Sequence, residues 1–360
     1  MNRLIIIGNG FDLAHGLKTS YCDFLSDYLK SIVIEFKKKS YYKDELIEIK
    51  YPSSYYREFP VFDENTDMFK YFEIFDDTRI FSKIFFSDLL KNSIKKAGEM
   101  RWVDLENDYF TELQECKRGV TGYAKDLINK LNMQFDFLKD LLEKYLLVQN
   151  EIAKSLPPNQ GITNLLSQKV FSSDFVYKKP LNLSLAKTHV LNFNYTQTSE
   201  MYFPNYQILG SGIEMNYIHG KLGDSENKIV FGFGDEYNTE YLTFENLKIN
   251  ELFHHIKSFS YFKTKNYDDL IRFLDADEYQ VFILGHSCGL SDRTMLREIF
   301  EHEYCLSVKI FYHQINMHKS DFTEKTYELA RHFTDKNAMR KKVVKEPNCT
   351  KLPQHPRTHE

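Results

Sequence analysis

Cysteine is scarce in this 360-residue chain, and none of its cysteines forms a CxxC pair. The five are scattered, at Cys22, Cys116, Cys288, Cys305 and Cys349. A disulfide framework and a structural zinc site both need closely spaced cysteines, so neither is expected. This cysteine usage fits a reducing compartment, and we expect a cytoplasmic location.

Long apolar runs and an excess of one charge are also missing. No stretch reaches the roughly 18 apolar residues that a membrane helix needs. The apolar start of the chain ends at Gly8, too early for the core of a signal peptide. The formal net charge of -4 gives no overall basic surface. We therefore expect neither a membrane nor a nucleic acid as partner.

Short apolar segments separated by helical patterns predict an α/β fold. Residues 4–7 are almost wholly apolar and end at a glycine, which indicates a strand buried on both faces. Similar segments recur at 188–193, 214–218, 228–231, 280–284 and 306–312. The alternation with helical patterns predicts a Rossmann-like parallel sheet.

A large, mainly helical insertion is predicted after the first strand. Within residues 122–156, apolar side chains recur every three or four positions, the period of a helix with one buried face. The predicted organisation is a discontinuous Rossmann-like core of residues 1–38 and 180–334, the insertion at 39–179, and a basic, flexible tail at 335–360.

The most informative motif, IIIGNGFDLAHGL, begins at Ile5. Its glycines allow a sharp turn from strand to helix and a close approach of main-chain amides to a diphosphate, whose charge a helix start favours. The spacing GxGxxxxxG is not the GxGxxG of a dehydrogenase. The predicted nucleotide-binding residues of this loop are Gly8, Asn9, Gly10, Phe11, Asp12 and Gly16. The alternative is a strand-to-loop turn without a ligand.

Extended to IIIGNGFDLAHGLKTSYCDF, this segment resembles the opening of the bacterial abortive infection AbiH family. More remotely, it resembles the sirtuin opening GAGxSxxxGIPxFR. The first resemblance implies a role in antiphage defence, in which the infected cell stops growing or dies. The second implies a sirtuin-like NAD-binding fold, with an asparagine at a later strand end followed by a His-Gly pair.

Both of these further sirtuin features are found in order. The sequence THVLNFNYT at 188–196 resembles the sirtuin TxNYD and places Asn194 at a strand's carboxyl end, with Thr196 where an aspartate is usual. The sequence YIHG contains His219 and resembles the sirtuin His-Gly. The resemblance implies that Asn194 positions ribose or water and that His219 is a general base. The alternatives are a turn asparagine and a structural histidine.

A later segment resembles the sirtuin GTS or GSS that approaches the adenosine half of the cofactor. It consists of Gly285, His286 and Ser287, in which His286 replaces a threonine or serine. With Thr196, these residues complete the predicted cofactor-binding set. The pair Ser291-Asp292, just beyond, is interpreted as a cap for a helix over residues 293–301.

Three further features are weaker candidates for a functional role. Asp235 and Glu236 lie in a glycine turn and could face the site, although acids in turns are usually solvated. His15 lies in the first loop, where loop architecture is an equally good explanation. The pair His254-His255 has no third ligand at metal spacing, so no metal is predicted.

The leading hypothesis is an antiphage protein that hydrolyses the nicotinamide–ribose bond of NAD. Sirtuin-like deacylation is disfavoured because its zinc module brings two CxxC pairs that this chain lacks. The alternative is a nucleotide sensor without turnover, which binds NAD, ADP-ribose or a signalling nucleotide and controls a toxic partner or surface. The replacements at Thr196 and His286 favour the sensor. A nucleic-acid-binding effector is disfavoured by the acidic total charge.

The expected ligand is therefore a nucleotide, as substrate or effector, and no prosthetic group is expected. A phage-derived trigger and a homo-oligomer are compatible with both hypotheses.

Overall fold

A computed structural model describes residues 1–39, 41–50, 63, 66–77, 84–96, 102–117, 124–180, 182–208, 210, 212–233, 236 and 238–355. Its strands, in chain order, are β1 (Asn2–Ile7), β2 (Tyr41–Lys43), β3 (Ile47–Lys50), β4 (Ile84–Phe86), β5 (Lys187–Asn192), β6 (Ile213–Tyr217), β7 (Tyr279–Leu284), β8 (Cys305–Phe311), β9 (Gln314–Asn316) and β10 (Lys319–Ser320). Its helices are α1 (Asn9–Ala14), α2 (Tyr21–Lys39), α3 (Met68–Asp77), α4 (Asp88–Lys96), α5 (Trp102–Lys117), α6 (Ala124–Ser155), α7 (Gln160–Leu166), α8 (Thr239–Leu247), α9 (Lys257–Tyr261), α10 (Asn266–Leu274), α11 (Arg293–Glu301), α12 (Phe322–Ala330) and α13 (Lys336–Lys342).

Five parallel strands form the central sheet, in the order β6-β5-β1-β7-β8. Alternate side chains of β1 enter different apolar clusters: Leu4 and Ile6 belong to one, and Ile5 and Ile7 to the other. Because both faces of the sheet are covered, β1 is apolar from Leu4 to Ile7 and β7 is apolar from Val281 to Leu284. The predicted α/β fold with a parallel sheet is confirmed.

Five of the six predicted strands are confirmed, and the prediction of a strand at 228–231 is wrong. The main-chain N–H of Val230 donates to His219 O across 2.7 Å, and that of Lys221 donates to Asn227 O across 2.8 Å. This segment therefore folds back, without strand structure, on the residues that follow β6. Its side chains Ile229 and Phe231 are buried, which explains the strand-like sequence pattern.

The chain divides into two compact units. The sheet unit comprises Met1–Thr19, Leu146–Tyr241 and Ile256–Glu360, and the second unit comprises Ser20–Tyr145 and Leu242–His255. These bounds differ from the predicted 1–38, 39–179 and 180–334. Helix α7 packs with the sheet, through Ile162 and Leu165.

The second unit combines helices with a small antiparallel sheet. Strands β2, β3 and β4 pair in that order. The long helix predicted within residues 122–156 is confirmed as α6. In the part of the chain that the structure describes, no helix has both the length and the apolarity needed to cross a membrane.

The predicted flexible tail is packed against the sheet unit as far as residue 355. The N–H of Val344 donates to Val308 O across 2.9 Å, and that of Leu352 donates to Tyr312 O across 2.8 Å. Val344 and Leu352 are buried. This packing could not be predicted from the sequence, because the segment is basic and its buried side chains follow neither a helical nor a strand period. Residues 356–360 lie outside the described part of the chain.

Candidate functional site

The polar residues of interest follow the carboxyl ends of four neighbouring strands. Asp12 comes after β1, Asn194 after β5, His219 after β6 and Asp292 after β7. Parallel strands end at one edge of a sheet, and ligands of open α/β sheets bind there. All four side chains are buried.

The glycines of the first loop permit a close approach to the segment after β7. Gly285 has φ +69°, and a Cβ on it would lie 2.1 Å from Phe11 N. A Cβ on Gly10 would lie 2.7 Å from Gly285 O. Side chains at these positions would force the two loops apart, which gives both glycines a packing role.

The amides of the glycine loop already have main-chain partners. Gly8 N donates to Leu284 O across 3.1 Å, Gly10 N to Gly285 O across 2.8 Å, and Phe11 N to Gly8 O across 2.8 Å. The side chain of Asn9 accepts a hydrogen bond from Thr19 Oγ1 at 2.7 Å, and Gly16 turns the chain after α1 with φ +78°. Diphosphate binding by this loop stays a prediction, and it requires these amides to exchange partners.

Asn194 connects the first loop to the end of β5. Its side-chain Nδ2 donates to Gly8 O across 3.1 Å, and its main-chain N–H donates to Asn192 Oδ1 across 3.0 Å. Two motifs identified separately in the sequence therefore contact each other.

Asp12 and Thr196 form a buried acid–hydroxyl pair. Thr196 Oγ1 donates to Asp12 Oδ2 across 2.5 Å. Burial raises the pKa of Asp12 to about 6, although hydrogen bonding by Thr196 and the nearby Thr198 and Asn194 side chains opposes the shift. Asp12 Oδ1 makes no hydrogen bond of good geometry with the described residues. Helix α1 thus places the carboxyl group of Asp12, with its pKa of about 6, beside Thr196.

His219, Asp292 and Lys257 form a buried charged cluster. Asp292 Oδ1 lies 3.0 Å from His219 Nε2 and 3.0 Å from Lys257 Nζ. Burial alone would raise the pKa of Asp292, but the Lys257 ammonium and the His219 imidazole hold it well below its usual range. The ionised carboxylate favours a proton on His219 Nε2, which leaves Nδ1 as the basic nitrogen of the neutral ring.

Aromatic rings surround His219. Tyr261 OH lies 3.3 Å from His219 Nε2, and the two rings are parallel at 6.4 Å. Phe193 contacts both His219 and His286, with ring centroids 5.0 Å and 4.2 Å away. Tyr261 and Phe193 therefore hold the imidazole ring of His219 from two sides.

His286 is buried and acts as an acceptor for its own loop. Its Nδ1 accepts the main-chain N–H of Cys288 across 3.0 Å. Burial lowers the pKa of His286 to about 3, so the ring is neutral at physiological pH. Ser287, the next residue, is partly exposed.

A cavity of about 280 Å³ lies against the His219 cluster through Asp292 and Tyr261. Its remaining lining is rich in acids, hydroxyls and rings: Glu236, Ser258, Phe262, Thr264, Tyr267, Asp268, Ser291, Thr294 and Met295. This lining suits a hydroxylated ligand that is neutral or cationic, and its carboxylates disfavour a phosphate there. Asp235, the other acid of the turn, lies outside the described residues.

Three members of the site were not identified as functional from the sequence. The prediction of a capping role for Asp292 is wrong, because it stands at the start of α11 but makes no side-chain capping bond. Lys257 and Tyr261 lie on α9, which no motif singles out. In the sequence, Asp292 stands out as part of a Ser-Asp pair that follows a buried strand.

His15, the weaker candidate of the first loop, has a structural role. Its ring nitrogens lie 2.7 Å from Phe11 O and 2.7 Å from Tyr202 OH, which supports the interpretation that it holds the loop in shape.

A family model described as bacteriophage abortive infection AbiH matches residues 4–314. The chain belongs to the AbiH family. The match covers the glycine loop, Asn194, His219 and Asp292 of this AbiH protein. It supports a role in phage abortive infection, as the first resemblance implied. A search of curated proteins found no match. The likeness to sirtuins stays a prediction.

Proposed function

We propose that this AbiH protein acts in abortive infection by hydrolysing the nicotinamide–ribose bond of NAD. The observation that carries the proposal is the buried His219–Asp292 pair, 3.0 Å apart, beside a cavity of about 280 Å³. A histidine oriented by an ionised carboxylate is the arrangement that activates water or a hydroxyl in many hydrolases.

In the proposed reaction, the neutral imidazole of His219 removes a proton from water as the water oxygen bonds to C1′ of the ribose. The bond from C1′ to the pyridinium nitrogen breaks, and its electron pair leaves with neutral nicotinamide. ADP-ribose is the other product. Asp292 stabilises the imidazolium that forms, and general base catalysis of this kind is worth on the order of 10²- to 10⁴-fold in rate.

The lining of the cavity supports the nicotinamide-ribose half of NAD as its occupant. That half carries a positive ring and two ribose hydroxyls, and the positive charge spreads to C1′ as the bond breaks. Glu236 and Asp268 supply negative charge, and the rings of Tyr261 and Tyr267 are stacked 5.7 Å apart. Aromatic faces attract a cationic ring. The diphosphate would then extend away from these acids, toward the glycine loop.

A nucleotide sensor without turnover is the second candidate. The observation that favours it is that Gly8 and Gly10 amides are bonded to main-chain oxygens, while Asp292 is paired with Lys257. A nucleotide that displaces such contacts would alter the packing around β1 and β7 whether or not it is cleaved. The signal would pass to a toxic partner or surface.

The test compares wild type with His219→Gln, which can still donate a hydrogen bond to Asp292 but cannot act as a base. The purified proteins are incubated with NAD, and nicotinamide is quantified. Intracellular NAD is measured by mass spectrometry with and without phage. Wild type should deplete NAD, His219→Gln should be slower by about 100-fold or more, and His318→Gln at an exposed position should match wild type.

Growth arrest at unchanged NAD would contradict hydrolysis. A thermal shift with NAD or ADP-ribose but no product would then support the sensor.

A further inference from the structure

Three potential metal ligands meet in the second unit. Asp136 lies on α6, and His254 and His255 follow the short 3₁₀ helix Asn250–Phe253. Asp136 Oδ2 is 3.4 Å from His254 Nε2, and Asp136 Oδ1 is 3.6 Å from His255 Nε2. One ligand atom from each residue lies within 4.8 Å of the other two.

We propose that Asp136, His254 and His255 bind one zinc ion and leave its fourth position to water. Zinc bonds of about 2.0–2.1 Å in a tetrahedron place the ligand atoms roughly 3.4 Å apart. The two measured separations are close to this value, but they involve different oxygens of Asp136, and one ligand atom from each residue lies within 4.8 Å of the other two. Zinc binding therefore requires small side-chain movements that bring the three ligand atoms together. Imidazole nitrogens and a carboxylate are ligands that suit zinc, whereas magnesium and calcium prefer oxygen alone.

The surroundings of the cluster hold the ligands in place before a metal arrives. His255 is buried between Tyr109 and Phe135, with ring centroids at 5.3 Å and 4.8 Å. Asn132 Nδ2 donates to Glu251 O across 2.9 Å, which fixes the histidine-bearing segment to α6 independently of the cluster. A metal therefore meets ligands whose backbones are already positioned, which reduces the entropy lost on binding.

The cluster is also open on one side. The Asp136 and His254 side chains are 45% and 54% exposed, whereas that of His255 is 5% exposed. A zinc ion there would be bound from the protein side and reached by water on the other. Zinc lowers the pKa of bound water, so such a position is reactive as well as structural.

The experiment uses the full-length protein stripped with a chelator and titrated with zinc by calorimetry, with metal content measured by mass spectrometry. We expect one zinc per chain with a Kd on the order of micromolar or tighter, and a rise in melting temperature. His254→Ala should weaken binding about 100-fold and Asp136→Asn at least about 10-fold. Both positions are partly exposed, so the variants should fold.

Asp140→Asn, an exposed acid also on α6, is the matched control and should bind as wild type does. Cobalt should give the visible absorption of a tetrahedral site in wild type but not in His254→Ala. Equal zinc binding by the Asp136→Asn/His254→Ala double variant would place the metal elsewhere and overturn the proposal. If wild type binds no zinc at micromolar concentration, the three residues form a histidine–aspartate ion pair and not a metal site, and the proposal is also overturned.

Discussion

The side-chain amide of Asn194 donates a hydrogen bond to the main-chain oxygen of Gly8 across 3.1 Å. The bond joins the end of β5 to the loop after β1, between two elements that are far apart in the chain. The sequence predicts that the Gly8 loop binds a nucleotide and that Asn194 positions its ribose or a water. The contact between them shows that Asn194 also supports the conformation of the loop.

Asn194→Ala should lower the free energy of unfolding by about 1 kcal/mol, because Gly8 O loses one of its two donors and keeps only the N–H of Phe11. The measurement is urea denaturation. Asn164→Ala, at an exposed position, should stay within about 0.5 kcal/mol of wild type. An unchanged midpoint for Asn194→Ala would mean that the hydrogen bond contributes nothing, and any loss of NAD turnover would then be catalytic.

Gly285→Ala should destabilise the protein by about 2–3 kcal/mol, because left-handed backbone strain and a clash act together. Gly285 has φ +69° and no room for a Cβ, whereas Gly223 has φ +75° with open space around it. Gly223→Ala is therefore the matched control for strain alone, and about 1–2 kcal/mol is expected. Equal midpoints for the two variants in thermal or urea unfolding would refute the clash.

The buried acid Asp12 should make stability fall as the pH rises from about 4 to above 6. Its pKa is raised from 3.8 to about 6 in the folded protein. The folded state therefore holds the proton more tightly, and this contribution is present at low pH and lost as the pH rises through 6.

A shift of this size corresponds to about 3 kcal/mol. Asp12→Asn does not titrate, so its stability relative to wild type should rise across the same interval. The comparison requires urea denaturation of both proteins at several pH values between 4 and 8. A constant difference between them would show that Asp12 has an ordinary pKa.

Asp292→Asn should cost about 3–5 kcal/mol, because it removes the carboxylate from a buried Lys257 ammonium. The depressed pKa of Asp292 has the opposite pH dependence to that of Asp12. Its stabilisation is present above the ordinary pKa, near 4, and it is lost as the pH falls below that value.

The control for Asp292→Asn is the double variant Lys257→Met/Asp292→Leu, which removes both charges. Chemical denaturation should find it more stable than Asp292→Asn. A double variant as unstable as the single one would show that the pair is not the source of the loss.

The core strands and the positions that follow them could be predicted from the sequence. Residues 4–7 and 281–284 are apolar throughout because both faces of a covered parallel sheet are buried, and this pattern is local. Asn194 and His219 lie two residues beyond β5 and β6, and the resemblance of their motifs to sirtuin sequences is what marks them as candidates. The same pattern wrongly predicts a strand at 228–231, because the side chains of Ile229 and Phe231 are buried although the segment pairs with no strand among the described residues.

The partners of these residues could not be predicted in this way. Lys257 lies on a short helix without a motif, and nothing local reveals that its ammonium is buried against Asp292. Asp136 lies in the middle of an amphipathic helix, where an acid is ordinarily a solvated residue. The residues near His254 in the sequence include no third ligand at metal spacing, and Asp136 on α6 is far away along the chain.

The sequence by itself determined the parallel sheet, the glycine turn after β1 and the family, because each depends on residue types at short spacings. Only the tertiary structure decided that Asp292 faces His219 and Lys257, and that Asp136 meets His254 and His255. Such pairings depend on which strand ends and helices become neighbours on folding. The surroundings of each group then set its charge, because burial raises the pKa of Asp12, whereas Lys257 and His219 lower that of Asp292.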